Sequence, residues 1–174
     1  SSTGLASRDS VLVEGILRIV KNHLALLDYG ESDTLTGLLN RKTFDTRFGK
    51  LRAGSGARSA EEPSWLGIVD VDKFKSINDN YGHLFGDEVL LLVARLLKQA
   101  FRGADQLFRF GGEEFIIVLD RATTPGAHIA FNRARAMVEE YRFPQVGVVT
   151  ISLGYTRIDA QDAAGTCIER ADAA

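Results

Sequence analysis

Alternation of helical and extended segments around one hairpin predicts an α/β (α+β) fold, with helices layered on a single, mostly antiparallel sheet. Three observations carry this. Leu66-Gly67-Ile68-Val69 is a short apolar run ending in Asp70-Val71-Asp72, the pattern of a buried strand with acids at its C-terminal edge. Leu107-Phe108-Arg109-Phe110 and Phe115-Ile116-Ile117-Val118-Leu119 flank Gly111-Gly112, the pattern of strand, turn and strand. Residues 86–101 are strongly apolar and read as a buried helix.

The remaining elements follow in order. A helix is predicted over 9–29, a loop over Asp33–Arg41, and a helix to about residue 52. Residues 53–63 contain Gly, Ser and Pro and read as a loop. A strand over 65–71 leads into a short helix over 73–80. The hairpin occupies 106–119, a helix spans 125–141 before Pro144, strands lie within 146–157, and a last helix covers 163–174. In the hairpin a two-residue Gly-Gly turn requires positive φ, which glycine adopts without steric cost.

Composition narrows the function. Apolar residues make up 45% of 174 residues, enough for one core plus a helical extension. Net charge is −2, which argues against nucleic-acid or membrane-surface binding. A single cysteine, Cys167, excludes an internal disulfide and suits a reducing, cytoplasmic setting. Three scattered histidines argue against zinc. No apolar run reaches membrane-spanning length, so any membrane anchor belongs to a longer parent upstream. The chain opens Ser-Ser-Thr without Met and reads as a piece of a longer protein. Val13, Leu17, Val20, Leu24 and Leu27 form a short heptad seam, either packed on its own domain or paired with a second copy.

Turn chemistry does not require Glu113-Glu114 beside Gly111-Gly112. Adjacent carboxylates repel, and a cation offsets that cost. Strand-end Asp70 and hairpin Glu113 meet if their strands are neighbours, and such oxygen donors suit Mg²⁺ or Mn²⁺.

These residues resemble the signature of GGDEF domains, the diguanylate cyclases of bacterial signalling, in its Gly-Gly-Glu-Glu-Phe variant. The likeness extends to Asp33-x-Leu35-Thr36-Gly37-Leu38-x-Asn40-Arg41, to Asp70-Val71-Asp72-x-Phe74-Lys75-x-Ile77-Asn78-Asp79, and to Tyr81-Gly82-His83-x-x-Gly86-Asp87. Ile151-Ser152-Leu153-Gly154 and Glu169-Arg170-Ala171-Asp172 follow at family spacing. The resemblance covers residues 33–174, after an N-terminal helix over 1–32 of the kind that pairs two copies in the family.

It implies a ferredoxin-like palm of the nucleotidyl cyclase type, condensing two GTP into cyclic di-GMP with release of two pyrophosphates. Two Mg²⁺ or Mn²⁺ are implied per active site, held by Asp70, Glu113 and the Val71 carbonyl. Glu114 is implied either as a further ligand or as the group that helps deprotonate the attacking hydroxyl. Asn78 and Asp87 are implied to read guanine, and adenine would leave an ionised Asp87 unpaired. Backbone N–H groups near Lys73 and Phe74, with Lys75, are implied for phosphates. Leu35, Leu38 and Asn40 are implied as pocket wall. Arg102-x-x-Asp105 resembles the family's product-inhibition motif, implying a second cyclic di-GMP site, and catalysis is implied to need a homodimer. A domain that only binds cyclic di-GMP or GTP is the alternative, and a cyclase for another dinucleotide is the third reading. The family's last helix continues past the point reached by Ala174 with phosphate-binding Lys and Arg, so weak GTP binding and slow turnover are expected of this stretch.

Overall fold

The computed structural model describes residues 13, 14, 16–18, 30–56 and 63–174. The chain divides into two units at Ser32/Asp33. In the first, residues 13–14, 16–18 and 30–31 are helical, with Val13 and Leu17 exposed. Val20, Leu24 and Leu27, the rest of the heptad seam, lie outside the described residues.

The second unit has seven strands and five helices among the described residues: β1 (Leu39–Asn40), α1 (Arg41–Gly56), β2 (Trp65–Val71), α2 (Phe74–Tyr81), α3 (His83–Ala100), β3 (Gln106–Arg109), β4 (Glu114–Leu119), α4 (Thr124–Glu140), β5 (Arg142–Phe143), β6 (Gly147–Val148), β7 (Ile151–Arg157) and α5 (Ala164–Asp172). The main sheet runs β1-β3-β4-β2-β7, and β5 and β6 form a separate ribbon. Only the β1–β3 pairing is parallel; β3–β4, β4–β2 and β2–β7 are antiparallel. The expected mixed fold with one mostly antiparallel sheet is what forms.

Strand β2 lies inside the sheet between β4 and β7, and both its faces are covered. Trp65, Val69 and Val71, with Phe115, Ile117 and Leu119 of β4, pack against Val89, Val93 and Leu97 of α3 and Phe131, Ala134 and Val138 of α4. On the other face Leu66, Phe108, Ile116 and Val118 pack against Phe44 and Phe48 of α1 and Cys167 and Ala171 of α5. The alternation follows from the two-residue period of a strand. Burial pushes the Cys167 thiol up to about 12, so it acts as a small apolar packing unit rather than a nucleophile.

Each face has one glycine where a helix reaches the strand backbone. A methyl at Gly67 would lie 2.4 Å from the Phe131 ring, and one at Gly154 would lie 2.0 Å from the Ala171 carbonyl oxygen. Helix α5 is held there by Arg170. Its guanidinium donates to both Asp162 oxygens (2.9 and 2.7 Å), to Thr156 Oγ1 (2.8 Å) and to the Arg157 carbonyl (2.6 Å). The Arg170 hydrogen bonds hold the Asp162 carboxyl below the usual carboxylate range, although burial pulls the other way.

Three expectations need correction. Helix α1 continues to Gly56, past the expected stop near 52; Gly and Ser lower helix propensity by about 1 kcal/mol or less each without forbidding the helix. Helix α3 begins at His83 rather than 86, because Gly82 alone separates it from α2. Gly82 takes φ 90°, ψ 161°, which ends one helix and starts the next in a single residue. The Gly111-Gly112 turn does not use positive φ; the positive-φ glycines among the described residues are Gly37, Gly82 and Gly147. The N–H groups of Phe110 and Gly111 both donate to the Glu114 carbonyl (2.8 and 3.1 Å), which makes a wider loop over Gly111–Glu113.

Gly154→Ala is expected to lose about 1–3 kcal/mol in urea denaturation, because a backbone carbonyl of a packed helix has to move. Gly165→Ala, where a methyl meets nothing within 4 Å, is expected to match or slightly exceed the parent.

Candidate active site

Pairing of β2 with both neighbours gathers the acids. Asp70 lies opposite Glu114 on β4 and opposite Ser152 on β7. Opposed residues of an antiparallel pair share a face, with Cβ atoms about 4.5–5.5 Å apart. Glu113 enters from the hairpin loop, and its carbonyl accepts the Val71 N–H at 3.3 Å. Burial, first, and then the charges of Glu113, Glu114, Asp72 and Asp172 push the Asp70 carboxyl above its ordinary value. No Lys, Arg or His pairs with Asp70, Glu113 or Glu114 among the described residues. A cavity of about 270 Å³ opens here, lined by Asp70, Glu114, Ser152, Gly154 and Asp172 among others.

Two carboxylates and the Val71 carbonyl are hard donors that leave room for water, which fits a divalent cation of the Mg²⁺ kind. They do not make a closed cage. Among the described residues no three His, Cys, Asp or Glu side chains are gathered closely enough to hold an ion by themselves.

The second acid of Asp70-Val71-Asp72 has a different task. Thr150 Oγ1 and Ser152 Oγ donate to the Asp72 carboxylate at 2.5 and 2.6 Å, which ties the end of β2 to β7. Asp172, the last residue of α5, carries no site signal in its sequence. It reaches the cavity because Gly154 lets α5 approach β7.

The hairpin loop is braced from the other side. Arg109 donates from Nη1 to Asp33 Oδ1 (3.1 Å) and from Nη2 to the Gly112 carbonyl (2.8 Å). Asp33 also accepts from the Thr36 N–H (2.8 Å) and hydroxyl (2.7 Å). Burial would raise the Asp33 carboxyl, but the Thr36 hydrogen bonds and the Arg109 charge outweigh it and hold Asp33 below the ordinary range. Arg41 stacks over the Phe110 ring at 4.3 Å. Lys98 caps the Thr36 and Gly37 carbonyls. A methyl at Gly111 would lie 2.2 Å from Glu114 Oε2, so a side chain here would displace the Glu114 carboxylate. Arg109 and Asp33 are 76 residues apart, and only the β1–β3 pairing shows that they meet.

Helices α2 and α3 stand at the same end of β2. Lys73 adopts a left-handed backbone (φ 56°, ψ 28°), which turns the chain from β2 into α2. Lys73 and Lys75 are exposed, and Phe74 is buried at 7% exposure. Asn78 is half-buried on α2 and Asp87 is exposed on α3. Leu35 packs half-buried against the core, and Leu38 is inside it. Asn40 accepts from the Thr43 N–H (2.9 Å) and hydroxyl (3.0 Å) and so caps α1.

Arg102 and Asp105 lie at the open end of the β3–β4 hairpin, roughly 15 Å from its loop at about 3.4 Å per residue. Asp105 is buried, and it accepts from the backbone N–H of Arg102 (2.8 Å) and of Asp120 (3.2 Å). It is therefore not the loose surface partner of Arg102 that the short motif alone allows. A cavity of about 340 Å³ beside it is lined by Arg102, Asp105, Arg121 and Arg133 among others. Arg121 and Arg133 carried no sequence signal, because the β4–α4 loop and α4 bring them in from a distance.

Among the described residues no helix is long and apolar enough to cross a membrane. The diguanylate cyclase, GGDEF domain family matches residues 31–174. The chain is 36% identical over 146 residues to diguanylate cyclase DgcP of Pseudomonas aeruginosa, covering 82% of this chain and 22% of that protein. The crystal structure of diguanylate cyclase SiaD of P. aeruginosa, in complex with its activator SiaC, is similar at a TM-score of 0.79 and 31% identity, covering 97% of this chain and 65% of that one. The GGDEF domain of DgcB from Caulobacter crescentus, in complex with c-di-GMP, is similar at a TM-score of 0.76 and 29% identity, covering 83% and 86%. Cyclases of this family are generally metal-dependent. With its palm-like sheet, its convergent acids and this match along residues 31–174, the chain belongs to the diguanylate cyclase GGDEF domain family.

Proposed function

We propose that this domain condenses two GTP molecules into cyclic di-GMP. In each half-reaction the 3′-oxygen of one nucleotide bonds to the α-phosphorus of the other. The bond from that phosphorus to the bridging oxygen breaks, and pyrophosphate leaves. The 3′-proton passes to a base. Two such steps close the ring and release two pyrophosphates, so two copies of the domain, each holding one GTP, face each other.

The observation that carries this reading is the meeting of Asp70, Glu113 and Glu114 at one strand end without a protein cation to balance them. Asp70, Glu113 and the Val71 carbonyl hold the cations, two Mg²⁺ or Mn²⁺ per site. Bound there, they supply charge stabilisation for the attacking and leaving oxygens. Glu114 either adds a ligand or accepts the 3′-proton. Asn78 donates to guanine O6, and Asp87 accepts from N1–H and N2–H₂. The Lys73–Phe74 backbone and Lys75 face the phosphates.

Product feedback acts through the arginine-lined cavity. Arginine forks onto phosphate or a guanine edge, and three arginines in one cavity suit a dianionic dinucleotide. The same cavity favours a second reading, in which the domain serves as a cyclic di-GMP receptor with little turnover.

Incubating the protein, as part of its full-length parent, with GTP and Mg²⁺ and identifying the product separates the two. Cyclic di-GMP with two pyrophosphates supports the cyclase; GTP returned unchanged by a protein that binds cyclic di-GMP supports the receptor. Glu113→Ala is expected to lower turnover at least about a hundredfold while cyclic di-GMP still binds in calorimetry. Arg102→Ala is expected to keep turnover and relieve product inhibition.

A pH prediction follows from Asp70. Its folded pKa lies above the ordinary value, so the stability it contributes is lost as pH rises through that folded value and stays lost at neutrality. Asp70→Asn is expected to raise the metal-free melting temperature at pH 7. The gain is expected to shrink as pH falls below Asp70's folded pKa. Millimolar Mg²⁺ is expected to raise the melting temperature of the parent and not of the variant.

A further inference from the structure

Gly86 is a glycine inside a helix. It lies in the first turns of α3 (His83–Ala100), its N–H donates to the Gly82 carbonyl at 3.2 Å, and its backbone is not left-handed. Conformation therefore does not require glycine here, and the helix would gain about 1 kcal/mol from Ala. Space does require it. A methyl at Gly86 would lie 2.0 Å from Asn78 Oδ1, 3.0 Å from Asn78 Cγ and 3.2 Å from the Phe74 ring. The bare helix backbone forms a notch, and the Asn78 amide fills it.

The notch has one rigid and one mobile wall. Phe74 is buried and would have to give by a few tenths of an ångström. The Asn78 amide is the far end of a short side chain and can swing away. With Oδ1 in the notch, Nδ2 is the end left for a ligand, and among the described residues this amide has no hydrogen-bond partner. Asp87 follows Gly86 directly on α3, so an Asn78 amide that leaves the notch moves relative to Asp87.

We infer that Gly86 is a positioning residue for base recognition: it fixes the Asn78 amide at the spacing from Asp87 that matches a guanine edge. The inference rests on the base-reading roles proposed above for Asn78 and Asp87. It assigns purine discrimination in part to a residue that touches no nucleotide. Any side chain at position 86 expels the Asn78 amide, so the donor for O6 is misplaced while Asp87 stays where it is.

The test uses the full chain, Mg²⁺ and non-hydrolysable GTP and ATP analogues in calorimetry, with Gly86→Ala, Asn78→Ala and the double variant. Gly86→Ala is expected to keep the circular dichroism of the parent, to bind the GTP analogue about tenfold or more weakly, and to lose most of its preference over ATP. In the Asn78→Ala background the same substitution is expected to change nothing further, because contacts that act through one another are not additive. An unchanged preference in folded Gly86→Ala overturns the inference, as does an equal cost in both backgrounds. If Gly86→Ala does not fold, recovery of folding in the double variant supports the contact, and failure of the double variant to fold assigns the glycine to Phe74 and overturns it. Asn78→Ala leaving the GTP preference intact would instead remove the base-reading role itself.

Discussion

Antiparallel register at β2 is the constraint on which the site depends. Asp70 stands opposite Glu114 on one side and Ser152 on the other, and a slip of one residue would turn Asp70 toward α3 and α4. The core enforces this register, because Leu66, Phe108, Ile116 and Val118 must face α1 and α5. Packing of apolar side chains thus holds several acids close together at one strand end. Arg109 is engaged with Asp33, Arg170 with Asp162, and Lys98 with backbone carbonyls, so none of these three balances Asp70. The repulsion at Asp70 is left for something outside the protein to balance, which is the usual mark of a functional site in an otherwise consistent fold.

Close approach, rather than unusual backbone torsion, is the recurring use of glycine around this site. Gly154 admits the end of α5 to β7, Gly111 admits the Glu114 carboxylate to the hairpin loop, and Gly86 admits the Asn78 amide to α3. Each removes a side chain where a polar group of the site has to sit. The loops are braced by ion pairs and caps of long sequence separation, so the site rests on several elements rather than on one flexible segment.

Much of this was legible in the sequence. The bounds of β2, the hairpin and the order of helices follow from apolar period and turn residues. Asp70, Glu113 and Glu114 stand out because acids at a strand end and a hairpin mouth serve no local purpose. What was not legible depends on which strands become neighbours. The Asp33–Arg109 pair needs β1 beside β3, the hydroxyl partners of Asp72 lie 78 and 80 residues away just before and on β7, and Asp172 reaches the cavity only through the α5–β7 contact. Gly-Gly at the hairpin suggests a torsional device in the sequence, whereas its shape follows from the wider Gly111–Glu113 loop and the nearness of Glu114.

Divalent-ion binding between the two strands is tested most directly by anomalous diffraction from crystals grown with Mn²⁺ and a non-hydrolysable GTP analogue. Convergence of the acids on a cation requires an anomalous peak about 2.0–2.2 Å from oxygens of both Asp70 and Glu113, at the distance expected for a small hard dication. Nucleotide bound in the cleft with no peak there, or with a peak that touches neither carboxylate, would contradict it.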